Sequence, residues 1–436
     1  MKLTNRLIPW SAKVLGLLLL FIAASVSATP SISNIEGEIK PEGKIVITGK
    51  FFGEKPNDRP LFYWSANNGT SPRTDLARQG WSGDSFNGQL SQKIVHPTSK
   101  ASVAWDHGES SDKALEWVDY DSPYVYVFRR KYSDFDTTKD VAIRTRFDRL
   151  AGELQVGQLV RGATSGATGI IESVDLNSDK VSGSIFYKNE EGSINDIPPV
   201  DFVYGEKLVT DTAAARNSEG TDKYPTGTFR TFNYKIIRFW AEQTNNNIFV
   251  GPDHVNAYEM KMTGEYTFGS VWSRDWQNVK KMTPRKWLTE EFLLYSGSID
   301  QSDARLIVRT DGVLNFNQSF IARTSERSGR YNKIAQSQVS NGAQKGSFVY
   351  YDSLYVDDSW HRIVYCESPK YEECSGIEVL IPVEWSENKI VAQFRETVIS
   401  PGQLYLYVSD GENVVNPLGY PLPLAASPSK VELMVE

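Results

Sequence analysis

Strand-forming residues run through nearly the whole chain, and no stretch of it carries the pattern of a packed helix. Tyr, Phe, Trp, Val, Ile and Thr recur in short runs bounded by Gly, Asn, Asp, Ser or Pro, the punctuation of strands and turns. No segment keeps an i, i+3, i+4, i+7 apolar stripe for three turns, which a helix needs in order to bury one face. The chain is expected to be all-β.

The N-terminus reads as a secretory signal peptide, residues 1–28. Lys2, Arg6 and Lys13 make a basic start, Val14 to Ala24 is a run of apolar and small residues, and Val26-Ser27-Ala28 offers a cleavage site. The run is short for a hydrocarbon core of about 30 Å; a retained anchor is the alternative. No later segment is apolar for long enough to span a membrane. Export to the periplasm, outer surface or extracellular space is expected.

Cleavage after Ala28 removes three cations and takes the formal charge from −7 to −10. That balance argues against a nucleic-acid partner, which needs a basic face. The remaining length, about 400 residues, suits two or three domains with cores of their own. Cys366 and Cys374 are the only cysteines. In an oxidising compartment they can close one local loop as a disulfide; two unpaired thiols in a turn are the alternative.

Ile35, Gly37, Gly43, Val46, Thr48-Gly49 and Phe52-Gly53 stand near one end. Trp385-Ser386, Ile390, the strand Leu404–Val408 and Asn416 stand near the other. Together they resemble the TIG (IPT) family of immunoglobulin-like sandwiches, split here between the termini. The resemblance implies one sandwich from residues 29–58 and 359–436, with everything between them inserted at a loop, where insertion is easily tolerated.

The middle contains Trp287-Leu-Thr-Glu-Glu-Phe-Leu-Leu-Tyr295, a strand turning at Asp311-Gly312, and Phe348-Val-Tyr-Tyr-Asp-Ser-Leu-Tyr-Val-Asp357. In that order these resemble the concanavalin A-like jelly rolls, a fold that includes lectins and polysaccharide lyases. The resemblance implies a jelly roll over 59–146 and 216–358. Asp-Gly is a hairpin signal by itself.

Between them, residues 147–215 are glycine-rich, with Gly152-Glu-Leu-Gln-Val-Gly157, Gly162-Ala-Thr-Ser-Gly166-Ala-Thr-Gly169 and a second Gly205-Glu. The wording resembles small β modules of bacteriophage virion proteins. A phosphate loop is the competing idea, but no Gly-Lys-Ser/Thr follows and no helix does; tight turns between short strands fit better.

Alternation along Ile237–Glu242 puts Arg238, Trp240 and Glu242 on one face and Ile237, Phe239 and Ala241 on the other. The polar set is expected on the open concave face of the roll. Arg323, Gln338 and Tyr350 are expected on strands of the same sheet, and Trp272 and Trp276 at its rim. Such residues suit sugars: rings stack on C–H groups, and arginine forks hold carboxylates. An ordinary solvated face with Arg–Glu cross-strand pairs is the structural alternative.

Catalysis is harder to place. Jelly-roll alginate lyases, which this region resembles, combine an Arg-rich strand, a Gln-x-His pair and a Tyr strand. Here Arg323, Gln336-Ser-Gln338 and Tyr350-Tyr351 are present, but Ser340 stands where the His is expected. Adjacent Glu290 and Glu291 face opposite sides, which fails the paired-carboxylate geometry of a retaining glycosidase. Two cysteines and four histidines make a zinc site improbable. Asp352, Asp357 and Asp358 do not have the spacing of an EF-type loop, so no cofactor is expected, with a structural calcium left open.

The sequence therefore points to an exported, non-catalytic surface or carbohydrate-binding protein whose partner is a polysaccharide or cell-surface glycan, acidic if arginines read it. A lyase or hydrolase with atypical residues, and a virion or cell-surface structural component, are the alternatives.

Overall fold

The structure is a computed structural model that describes residues 28–78, 81, 88–106, 113–134, 143–188, 202–218, 229–230, 234–252, 260–265, 269–271, 284–339 and 348–423. The chain is all-β, with a single α-helix, Pro72–Arg78, among the described residues.

Two sheets form the jelly-roll sandwich. The inner one runs in the order Val313–Phe320, Ala304–Thr310, Trp287–Tyr295, Tyr124–Ser133, Phe348–Asp357, Ser102–Asp106 and Gln89–Ser91; Phe62–Ser65 also pairs with Phe348–Asp357. The outer one has Lys333–Val339 between Lys113–Asp119 and Ile237–Ala241, followed by Asn246–Pro252, Met260–Glu265 and Gly269–Val271. Val125, Val127, Phe292, Leu294, Leu306 and Val356 of the inner sheet meet Ile237, Phe239, Ile248, Val250, Met262 and Ile334 of the outer one. Alternation thus places every second residue of each strand in one core.

The other face of the inner sheet is buried too. Tyr126, Phe128, Leu293, Ile307 and Tyr355 pack on Val364, Tyr371, Ile377, Val379 and Tyr407 of a third unit. That unit is one seven-stranded sheet ordered Ser31–Gly37, Lys44–Lys50, Lys389–Gln393, Glu378–Trp385, Arg362–Cys366, Tyr405–Ser409 and Tyr420–Pro421. Lys44–Lys50 pairs directly with Lys389–Gln393 although most of the chain separates them. Glu378–Trp385 changes partner midway, pairing first with Arg362–Cys366 and then with Lys389–Gln393. The sheet so folds over a core that includes Ile45, Ile47, Leu380, Ile390, Leu406 and Val408. At the passage into the roll, Trp385 Nε1 donates to the Gly53 carbonyl at 3.0 Å, and the buried pair Lys55 Nζ–Asp357 Oδ1 lies at 3.0 Å.

Cys366 and Cys374 form a disulfide, Cα–Cα 5.8 Å. The Asp311-Gly312 turn packs against this loop so closely that a Cβ on Gly312 would stand 2.0 Å from the Cys374 carbonyl oxygen. Only glycine fits there, and its φ of +73° favours glycine as well.

The glycine-rich segment closes a barrel of six strands, because Gly183–Lys188 pairs both with Thr168–Leu176 and with Ile143–Gly152. Phe147, Val160, Ile171, Ile185, Tyr187 and Leu208 fill it. The amides of the Gly162–Gly166 turn do face an anion, but it is the chain's own. Glu206 Oε2 accepts from the backbone N–H of Thr164 and of Ser165, each at 2.9 Å, and its Oε1 accepts from Ser165 Oγ at 2.8 Å. A Cβ on Gly162 would lie 2.6 Å from Glu206 Oε1, so the glycine makes room for the carboxylate.

Charged groups lie deep inside. Arg129, Lys131 and Glu290 are within the roll: Arg129 Nε meets Glu290 Oε2 at 2.7 Å and Lys131 Nζ meets Glu290 Oε1 at 2.6 Å. Burial opposes ionisation of Glu290, but the two cations outweigh it and hold the carboxyl below its ordinary range. Removing one partner of such a group leaves uncompensated buried charge and typically costs about 3–5 kcal/mol. Glu290→Ala is expected to lower urea stability by that order; a loss under about 1 kcal/mol, the scale of an exposed pair, would show that the cluster is not structural.

Two histidines make the fold acid-sensitive. Burial, and next the charge of Arg130, lowers His96 to about 3; burial and Lys55 lower His361 to about 4. The unfolded chain protonates both near an ordinary value of about 6.5, so these two groups favour the unfolded state as pH drops below about 6.5; Asp357, raised by burial to about 6, offsets part of this because it takes its proton earlier in the native state. Thermal melts at pH 7 and pH ~4.5 check this, and His96→Asn should flatten the slope.

Candidate functional site

Among the described residues the inner sheet is covered on both sides, and the roll's other broad face is the side of the outer sheet turned away from the core. Register builds it. Arg238 lies opposite Ala335 on one side and Phe249 on the other, with Thr263 beyond; Trp240 lies between Lys333 and Asn247. Ile237, Phe239 and Ala241 are in the core, as the alternation requires.

The face is not the open, solvated surface expected from the sequence. Arg238 is 8 % exposed, Phe249 9 % and Lys235 6 %, while Trp240 is half-buried. The groups lie flat on one another. The Arg238 guanidinium sits 3.8 Å from the Trp240 ring centroid and its Nε donates to Asn247 Oδ1 at 3.3 Å; the Lys235 ammonium sits 5.0 Å from the Phe249 ring. The patch is a nearly buried floor of cations, rings and an amide, with Asn247 fully buried. Lys235, Asn247 and Phe249 were missed in the sequence; the signal for Asn247 and Phe249 is the same two-residue alternation read on Asn246–Pro252, whereas Ile236 and Ile237 both enter the core and break the alternation before Lys235.

Other expected members fall elsewhere. Glu242 is not on the strand, which ends at Ala241; it begins a 3-10 turn and pairs with Lys333 at 2.8 Å. Arg323 is not on a strand of this sheet. It follows Val313–Phe320 and donates to the carbonyls of Gly297 at 2.8 Å and Ser328 at 2.6 Å, so its fork fastens two loops. Tyr350 belongs to the inner sheet, where it meets Tyr132 edge-on at 5.9 Å. The backbone of Gln338 does lie in the outer sheet, opposite Lys235. Trp272 and Trp276, like Ser340, lie outside the described residues.

The three aspartates serve the protein. Asp352 receives Arg130 at 2.9 Å, Asp357 receives Lys55 at 3.0 Å, and Asp358 receives Asn57 Nδ2 at 2.5 Å. Among the described residues no group of three or more His, Cys, Asp or Glu is arranged to hold a metal ion. Glu290 and Glu291 point to opposite sides of their strand, the first into the roll and the second to Tyr126 Oη at 2.9 Å.

No family model matches the chain, and no curated protein does. Among solved structures the chain is similar to an alginate lyase mutant in complex with an alginate tetrasaccharide, at 10% identity and a TM-score of 0.31 over 68% of this chain and 96% of that one. It is similar to an endo-β-1,4-glucuronan lyase from the fungus Trichoderma reesei, at 8% identity and 0.30 over 68% and 95%. A marine alginate lyase from Aplysia kurodai gives 10% and 0.27 over 68% and 98%.

A stacked, desolvated cation–π pair is worth about 0.5–2 kcal/mol. A double-mutant cycle of Arg238→Ala and Trp240→Ala in urea should return a coupling of that size. Additive single losses would mean that the two side chains merely share a face.

Proposed function

We propose that the protein is exported by its N-terminal segment and binds an acidic polysaccharide on the recessed floor of the outer sheet. The observation that carries this reading is the joint placement of Lys235 and Arg238 with Trp240 and Phe249 on the side of the outer sheet that no other sheet covers among the described residues. The rings offer flat apolar contact for sugar C–H groups. Lys235 and Arg238 supply charge for a uronate carboxylate or sulfate, arginine with two-pronged geometry. Asn247, fully buried beneath the face, accepts from Arg238 Nε and fixes the guanidinium in place.

Lyase chemistry is the second reading, favoured by the Arg238–Asn247 pair. Elimination at a uronate needs its carboxylate neutralised so that the proton on the adjacent carbon becomes acidic; a base takes that proton and the glycosidic oxygen leaves. Neutralisation is the part this floor supplies. The split terminal sandwich, resembling the TIG family, serves in either reading as the base on which the roll stands, and the small barrel as an appended module.

Calorimetry with alginate, glucuronan and an uncharged glucan tests the proposal. Binding to the acidic polymers is expected, weakened by about 1–3 kcal/mol in Trp240→Ala, the loss typical of a central aromatic contact. Arg238→Ala should weaken it more at low than at high salt. Equal affinity for the uncharged glucan, or no binding to any, overturns the proposal. Release of unsaturated sugar ends in the same mixtures would decide for the lyase.

A further inference from the structure

A second concavity lies where the roll meets the terminal unit, away from the outer sheet. Two cavities of about 260 and 240 Å³ share His96, Thr289, Ser375 and Gly376 and so form one cleft. One wall comes from the roll: the loop carrying His96, the start of Trp287–Tyr295, and the Asp311 turn. The other comes from the disulfide loop, with Glu367 and Ser375, and from Glu378. Each cavity is smaller than the about 300–1,000 Å³ of drug-sized sites. The size suits a single sugar ring.

The polar groups of the cleft are set in advance. Arg130 Nη1 lies 2.7 Å from His96 Nδ1. A guanidinium only donates, so Nδ1 accepts and the ring proton sits on Nε2. Thr98 Oγ1, at 2.8 Å, holds the same nitrogen. Nε2–H has no acceptor among the described residues, and His96 lines both cavities. Arg130 lines the cleft as well; it is buried and held by Asp352 and Glu378, so its hydrogen bond fixes the His96 ring at the cleft wall. Trp287, half-exposed at the opening, is held edge-on by His96 at 5.7 Å. A ring of this kind offers a flat apolar surface beside the His96 donor.

Charge selects the ligand class. The lining holds two cations, Arg130 and Lys286, against three carboxylates, Asp311, Glu367 and Glu378. Lys286 is already on Asp311 at 3.3 Å. The cleft has no surplus positive charge for an acid. Its free capacity is a donor and a ring face, which hydroxyl oxygens and sugar C–H groups satisfy.

We propose that this cleft is a binding site for a neutral sugar ring, such as a terminal hexose residue, with His96 Nε2–H as a donor, held by the buried Arg130, and Trp287 as the stacking surface. The site is distinct from the outer-sheet floor and its occupant differs in charge.

Calorimetry of the full chain with D-glucose, D-galactose, D-mannose and D-glucuronate tests it. At least one neutral hexose is expected to bind with millimolar affinity, and glucuronate about tenfold more weakly. Trp287→Ala should lower the affinity about tenfold or more. Ser375→Trp changes an exposed position and fills the cleft; it should abolish binding with the melting temperature unchanged. Trp240→Ala should leave hexose binding intact, which separates this site from the outer sheet. Binding of none of the three hexoses, tighter binding of glucuronate, or hexose binding that survives Ser375→Trp would each overturn the proposal.

Discussion

Arg129 ties the two sheets of the roll together, and the arrangement around it depends on its being fully satisfied. Its Nε meets Glu290 on the neighbouring strand, its Nη2 donates to the Ile236 carbonyl across the sandwich at 2.7 Å, and its Nη1 donates to the Gln336 carbonyl. The guanidinium is flanked by Phe292 and Tyr351, at 5.1 and 5.6 Å from the ring centroids. A cation in an apolar core is strongly unfavourable unless paired and fully hydrogen-bonded. Here that requirement fixes the distance and register of the sheets, because acceptors from three strands must converge on one planar group.

The next residue along does the same on the opposite face. Arg130 reaches His96, Thr98, Asp352 and Glu378, and Asp352 also receives Arg395 at 3.4 Å. Arg395 in turn holds Glu378 at 2.7 Å. The inner sheet is therefore charged on both faces at its centre and buried on both. Packing of Tyr126, Phe128 and Tyr355 on the terminal unit surrounds this network with apolar contact. A sheet covered in this way has no open broad face, and its residues reach a cavity at the seam between units, where Arg130, Trp287 and Thr289 line the cleft.

The sequence made the class legible because strand runs and turn residues agree along the chain. Alternation correctly divided Ile237, Phe239 and Ala241 from Arg238 and Trp240. The depth of Arg238 was not legible: a period of two separates two faces but says nothing about how closely neighbours lie on each. Phe128-Arg-Arg-Lys131 misleads more, since three consecutive cations look solvated although all are buried. Their partners, Glu290, Asp352 and Glu378, are far away in sequence. Arg323 and Tyr350 were misplaced for a related reason. The sequence around each reads as extended, but which sheet a strand joins is set by long-range pairing that no local pattern encodes.

The glycine-rich segment shows how an apparent ligand loop can be internally satisfied. Backbone amides converging on one point favour an anion wherever it comes from. In the barrel Glu206, just before the strand Lys207–Val209, supplies it, and the turn is thereby closed to phosphate. The cleft at the seam differs in this respect. Arg130 has its carboxylates, yet the proton of His96 Nε2 finds no protein acceptor among the described residues. The same network that locks the two units together thus fixes the His96 ring at the wall of the cleft, so rigidity of the junction and readiness to bind have one physical source.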